Sequence, residues 1–286
     1  MPEQKIYQRL PDGTLNPAWT QARLGRITAS EIHRIMTGDA ARATYLLEKL
    51  TERVERDMVG KGLSGPMEDG IALEPEAGAA YEEETGEKLV IGHLMEGPGF
   101  LATPDYLVVS GGLVECKAPI VKTALGERFG HLLREKAKRK RGEDGKLVEA
   151  EVGAPPNDYY WQCVAQCIAA DEPWCDLYYY VPGLRPVALQ GWLRRIWLET
   201  DVERKLLDAV AVANEMLDAA YDAVTFSRSG EVVAKVVEQI EAAGSHEAVD
   251  RALYSVEGMR LPAAAVKVLD EAARRKTLAL PAGLEG

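Results

Sequence analysis

FLATPDYLVVSGGLVECK, residues 100–117, decides how this chain is read. Two apolar runs, 100–109 and 113–117, flank Ser110-Gly111-Gly112, a turn composition that permits positive φ. The pattern predicts a β-hairpin. With a three-residue turn at 110–112, facing residues sum to 222, which sets Asp105 opposite Lys117 and Leu107 opposite Glu115. Side chains alternate along a strand, so Asp105, Glu115 and Lys117 share one face while Val114 and Cys116 take the other. A two-residue turn would break this register unless a bulge restored it.

Two carboxylates held close repel each other unless a cation lies between them, and oxygen-only ligands favour a hard ion such as Mg²⁺. A lysine beside them can orient or help deprotonate a metal-bound water that attacks a phosphodiester. The spacing alone carries little, because an acid two residues before a lysine also occurs at Glu3/Lys5, Asp144/Lys146 and Glu203/Lys205. Only Glu115 lies inside an apolar strand with an aspartate on the strand before it. On the residues alone, a metal-dependent hydrolytic site and an edge-strand ion pair of little energy stand level.

Outward from the hairpin, helical patterns precede the strands: 28–36 with Thr28 or Ser30 as N-cap, 43–58, and 73–85 with Pro75 near its first turn. A strand at 88–94 leads into the hairpin. After it come a basic segment at 128–146, a buried helix at 157–170 capped by Asn157 or Asp158, and a strand at 175–181 buried on both faces. A strand at 186–193 and a long helix at 197–222 follow. From Phe226 the chain is rich in Ala, Val and Glu, with helical patterns at 230–243, 246–257 and 262–276. The expected organisation is therefore a domain over 1–225 and a small helical extension over 226–286.

The 286 residues carry a net charge of −11, with 47% hydrophobic and 28% charged residues, a composition that excludes a disordered chain and a bulk nucleic-acid coat. No apolar run is long enough for a membrane helix and the N-terminus lacks a signal-peptide pattern, so a cytosolic protein without membrane contact is expected. The charge is uneven. Eight acids and no Lys or Arg fall within residues 67–87, whereas 134–141 (REKAKRKR) hold six bases and one acid. The distribution points to a channel positive inside and negative outside; the basic run reads equally as a solvated loop and as a DNA contact.

Four segments in order resemble the YqaJ-type viral recombinases: Trp19 with ARLGRITASEIHRIM, residues 22–36; G70-IALEPEAGAAYEEETG; Thr103-Pro104-Asp105 with Glu115-Cys116-Lys117-Ala-Pro; and Tyr160-Trp161-Gln162-CVA-Gln166. The chain thus looks like a phage exonuclease related to lambda exonuclease, within the PD-(D/E)xK nuclease superfamily, over about residues 19–200. The resemblance implies an α/β core with a central mixed β-sheet flanked by helices, to which the helical C-terminal appendage is added. It also implies an Mg²⁺-dependent 5′–3′ exonuclease that digests one strand of linear duplex DNA and leaves 3′ single-stranded overhangs for phage-type recombination by single-strand annealing.

Carried over by position, Asp105, Glu115 and the backbone carbonyl of Cys116 would bind metal, and Glu74 would complete the acidic set for a second ion, with Mn²⁺ as a substitute. Lys117 would position the nucleophilic water and Gln162 would help orient water or phosphate. Arg23, Ser30 and Thr103 would contact the 5′-phosphate, although Ser30 also reads as a helix cap. The implied partners are double-stranded DNA ends and a single-strand annealing protein, the implied assembly a homotrimeric ring, and the setting the cytosol of a bacterial host for a phage or prophage protein. Two other readings remain, an endonuclease of the same superfamily and a non-catalytic DNA-binding scaffold. Cys116, Cys163, Cys167 and Cys175 lack a CxxC, so no iron–sulfur cluster is expected, and His33, His93, His131 and His246 lack metal-ligand spacing. Tyr159-Tyr160-Trp161 and Tyr178-Tyr179-Tyr180 are expected to pack in the core.

Overall fold

The hairpin forms, and it sits in the middle of a mixed sheet. The structure is a computed structural model that describes residues 5–58, 65–134, 156–185, 187, 190–256, 259, 261 and 263–280. Its strands are β1 (Leu89–Ile91), β2 (Met95–Gly97), β3 (Phe100–Ala102), β4 (Tyr106–Val108), β5 (Leu113–Lys117), β6 (Trp174–Tyr180) and β7 (Gly191–Trp197). Five of them form one sheet in the order β1-β4-β5-β6-β7, and β2 pairs with β3 in a second. Among the described strands, β5 and β6 pair in parallel and the other pairs are antiparallel.

Two expectations about the hairpin are corrected. Tyr106 pairs with Val114 and Leu107 with Leu113, so facing residues sum to 220 rather than 222. The turn closes one residue early: Gly111 N–H donates to Val108 O at 3.0 Å and Val108 N–H donates to Gly112 O at 3.0 Å. Gly111 and Gly112 have φ of 112° and 90°, and a Cβ on Gly112 would lie 2.2 Å from the Trp174 ring, so this turn accepts glycine there. Because the pairing sum moves by two, side-chain parity survives, and Asp105, Glu115 and Lys117 remain on one face. The second correction is that 100–109 is two strands. Pro104 offers no N–H to a ladder, and the chain leaves the small sheet at Ala102 and enters the large one at Tyr106.

The helices are α1 (Pro17–Arg23), α2 (His33–Thr37), α3 (Asp39–Glu55), α4 (Gly65–Thr85), α5 (Val121–Arg134), α6 (Asn157–Ala170), α7 (Thr200–Ala242), α8 (His246–Tyr254) and α9 (Ala263–Ala279). Neither Thr28 nor Ser30 caps a helix with its side chain: residues 29–31 form a 3₁₀ turn whose cap position, Thr28, makes no capping bond. Helix α6 is preceded by Pro156, and Asn157 instead accepts a hydrogen bond from Trp161 Nε1 at 3.1 Å. The strand expected at 186–193 lies at 191–197.

Helices cover both faces of the sheet. Helix α6 packs on the face that carries Glu115, and α4 packs on the opposite face, where Ala77 and Tyr81 meet Val108, Val114, Cys116, Trp174 and Tyr178. Tyr81 and Tyr178 meet edge to face with centroids 5.4 Å apart, worth about 1 kcal/mol beyond the area buried. The same face holds one fully buried charge, Asp176, which accepts hydrogen bonds from Tyr81 Oη at 2.8 Å and from Arg195 Nε and Nη2 at 2.8 and 2.9 Å. Strand β6 is buried along almost its whole length, as a central strand with helices on both sides must be.

The chain forms two compact units, Met1–Asn214 and Glu215–Gly286. Helix α7 is continuous over 43 residues, so the expected boundary at 225/226 falls within it. The second unit has a core of small side chains, with Val233, Val236 and Ile240 of α7 against Val249 and Ala252 of α8 and Ala265, Leu269 and Ala272 of α9. Among the described residues no helix is long and apolar enough to cross a membrane. Most of the basic run 134–141 lies outside the described residues.

Candidate active site

Asp105 reaches the site because the chain switches sheets immediately before it. Gly92 N–H donates to Asp105 O at 2.8 Å, an approach so close that a Cβ on Gly92 would stand 1.8 Å from Pro104 O. With its backbone pinned, Asp105 turns its carboxylate across the hairpin, where Oδ2 accepts the Cys116 N–H at 2.7 Å. The Cys116 peptide thereby joins the cluster, while its buried thiol points to the other face of the sheet.

Glu115 is 3% exposed and accepts three hydrogen bonds. Its Oε1 accepts from Lys117 Nζ at 2.6 Å and from Gln162 Nε2 at 2.6 Å, and its Oε2 accepts from Gln166 Nε2 at 2.6 Å. Lys117 Nζ also donates to Gln162 Oε1 at 3.2 Å and lies 4.8 Å from the Tyr159 ring centroid. Glutamines one turn apart on α6 thus supply the partners that a buried carboxylate on β5 requires. Glu74 approaches from α4, fixed by a hydrogen bond from Tyr106 Oη to its backbone oxygen at 3.0 Å.

The electrostatics tie these residues together. Burial and then the charges of Glu115 and Glu74 hold Asp105 well above the usual carboxylate range. Glu74 is pushed up to about 7 by burial and by Glu115, with Arg9 and Lys117 acting in the opposite sense. Burial works against the charge of Lys117, but Glu115 and Asp105 outweigh it and keep the amine protonated. Three carboxylates therefore crowd one lysine, which is the condition a divalent cation relieves, and their hard oxygen donors suit such an ion. The residues fit the group, although among the described residues no three His, Cys, Asp or Glu side chains close into a ready-made cage. Lysine and two glutamines hold Glu115 instead.

A second cluster adjoins the first. Arg23 Nη2 donates to Ser30 Oγ at 3.4 Å, and the guanidinium stacks 4.0 Å from the Trp19 ring centroid. Trp19 Nε1 donates to Thr103 Oγ1 at 3.0 Å, and Thr28 Oγ1 lies 3.5 Å from Ser30 Oγ. Arg23 Nε is buried without a hydrogen-bond partner among the described residues, and burial works against the charge of the group. A desolvated guanidinium with an unused donor, beside the Ser30 hydroxyl, has hydrogen-bonding capacity that an anion could use.

The sequence-expected residues fall into these two neighbouring groups: Glu74, Asp105, Glu115, Lys117 and Gln162 in one, Arg23, Ser30 and Thr103 in the other. Thr103-Pro104-Asp105 links them. Reasoning from the sequence assigned no contacts to Trp19 or Tyr159. Only the unexplained polarity of Gln166 on an apolar helix signalled its part. The four cysteines are free thiols, all buried, and Tyr178, Tyr179 and Trp161 pack in the interior.

The sequence profile of the YqaJ-like viral recombinase domain matches residues 18–172. Among solved structures, the chain is similar to an alkaline exonuclease from Laribacter hongkongensis, with 28% identity and a TM-score of 0.61 over 75% of this chain and 99% of that one. A structure of the same exonuclease in complex with dAMP matches at 27% identity and a TM-score of 0.61, over 76% and 100%. A phage-related exonuclease from Haemophilus somnus shares the fold, with a TM-score of 0.55 at 14% identity over 70% and 96%. No curated protein sequence matches the chain significantly.

Proposed function

The chain belongs to the family of YqaJ-like viral recombinase domains, and from that premise we propose that this deoxyribonuclease is an Mg²⁺-dependent exonuclease that degrades one strand of linear duplex DNA from its 5′ end. The observation that carries the proposal is the junction of the two clusters. A carboxylate–lysine site meets an anion-seeking Arg23–Ser30–Thr103 group through a single tripeptide, Thr103-Pro104-Asp105.

Asp105, Glu115 and the Cys116 carbonyl are the residues that would hold a divalent ion, with Glu74 placed for a second; Mn²⁺ suits the same donors. A bound ion would supply positive charge against the charge that builds on the phosphate and would make a water more acidic. Lys117, held as an ammonium, donates to a water or phosphate oxygen. It cannot act as the base in that state. Gln162 fixes Lys117 through its Oε1 and leaves the amine a third donor for substrate. Glu74, whose carboxyl pKa is raised by burial and the Glu115 charge in the metal-free site, would ionise when a cation binds beside it. Arg23, Ser30 and Thr103 bind the terminal 5′-phosphate, which sets both the end specificity and the distance to the bond cleaved. The product is a 3′ single-stranded overhang, the substrate of a single-strand annealing protein in phage-type recombination, and a homo-oligomeric ring would retain DNA between cuts.

The test is a 5′-phosphorylated linear duplex beside its 5′-hydroxyl form and a covalently closed circle, with Mg²⁺ or with EDTA. Mg²⁺-dependent loss of the 5′-phosphorylated strand alone supports the reading. Cutting of the circle replaces it with an endonuclease, and digestion in EDTA removes the metal.

A further inference from the structure

Gln166 is fully buried, on the face of α6 that packs against β5 and β6. Leucine there would bury similar volume without the penalty of a desolvated amide. The amide is instead spent on three partners. Nε2 donates to Glu115 Oε2 at 2.6 Å and lies 3.4 Å from Thr103 O, while Oε1 accepts from Cys175 Sγ at 3.7 Å.

The consequence for Glu115 follows from counting lone pairs. Each carboxylate oxygen accepts about two hydrogen bonds. Oε1 already has two donors, Lys117 and Gln162, and Oε2 has one, Gln166. The position left for a cation is therefore on Oε2, and the Gln166 amide determines where it points. Its contact with the Thr103 carbonyl refers that direction to the strand end carrying Asp105. Thr103 in turn meets Trp19, on which Arg23 stacks.

We propose that Gln166 is a positioning residue that presets Glu115 as a single-oxygen ligand, through Oε2, for a divalent cation shared with Asp105. The inference rests on the metal-dependent reading above. It separates the two glutamines of α6: Gln162 serves the lysine side of Glu115, Gln166 the metal side.

The experiment measures Mn²⁺ binding to the full chain without DNA, by calorimetry, in parallel with the Mn²⁺ dependence of duplex digestion. In Gln166→Met the Kd for Mn²⁺ is expected to rise tenfold or more. The activation midpoint should rise with it, while the rate at saturating Mn²⁺ falls less than threefold. Val164→Ala, a cavity in the same helix away from the cluster, is expected to lower the melting temperature and leave both midpoints within twofold. Should Gln166→Met not fold, Gln166→Asn is read the same way, since its amide is one methylene short of Glu115. A Kd within twofold of wild type in the variant that folds overturns the inference. A wild-type chain that takes up no Mn²⁺ removes the metal reading itself, and the inference with it.

Discussion

Replacing Glu74 by glutamine should make the metal-free protein more stable above neutrality, while it impairs hydrolysis. Burial and the Glu115 charge move the Glu74 carboxyl from its ordinary 4.5 to about 7. A carboxyl whose pKa is raised by folding binds its proton more tightly in the native state. Its contribution is fully present below pH 4.5 and is lost as pH rises through 7. At pH 8 ionisation of Glu74 costs the fold roughly 3 kcal/mol. Part of the side chain reaches solvent and the isosteric amide retains some desolvation cost, so about 1–2 kcal/mol should be recovered by Glu74→Gln. The assay is urea unfolding in EDTA at pH 5 and pH 8, followed by tryptophan fluorescence. All five tryptophans lie before residue 198, so the signal reports the unit Met1–Asn214. The variant should gain at pH 8 and match or fall below wild type at pH 5. Equal destabilisation at both values would refute the electrostatic account of this residue.

Arg195→Met strands the buried Asp176, at a cost of about 2–3 kcal/mol after allowing for the 37% exposure of the Arg195 side chain; urea titration should show most of it recovered in Asp176→Leu/Arg195→Met. Gly112→Ala should cost roughly 2–4 kcal/mol by the same measurement, because it combines φ of 90° with a 2.2 Å approach to Trp174. Arg23→Ala should raise KM for a 5′-phosphorylated duplex tenfold or more and leave the 5′-hydroxyl duplex unchanged; steady-state kinetics on the two substrates decides whether Arg23 reads the phosphate.

What the sequence made legible was parity more than register. The alternation of Glu115, Cys116 and Lys117 settles which side chains share a face. The turn closes one residue earlier than the local pattern predicts, and its Gly112 lies against Trp174, some sixty positions away in the chain. No local pattern carries that contact. The reading of 100–109 as one run passed over Pro104, which cannot donate to a ladder, and that β3 and β4 belong to different sheets depends on pairing partners far along the chain. Likewise Gln162 and Gln166 stand out as polar residues on an apolar helix, so a partner was demanded. That both converge on Glu115 follows only from the way α6 packs across β5. Trp19, which joins Thr103 to Arg23, looks like any aromatic near a helix start and carries no local signal.

The central claim is that Asp105, Glu115 and Lys117 form a hydrolytic site that takes DNA at its ends. The most direct measurement compares wild type with Lys117→Ala on a mixture of 5′-phosphorylated linear duplex and covalently closed circle in Mg²⁺, with folding of the variant checked by fluorescence. The account predicts that wild type consumes the linear strand and spares the circle, and that Lys117→Ala, still folded, slows digestion by roughly a hundredfold or more. Full-rate digestion by Lys117→Ala, or loss of the circle, would contradict it.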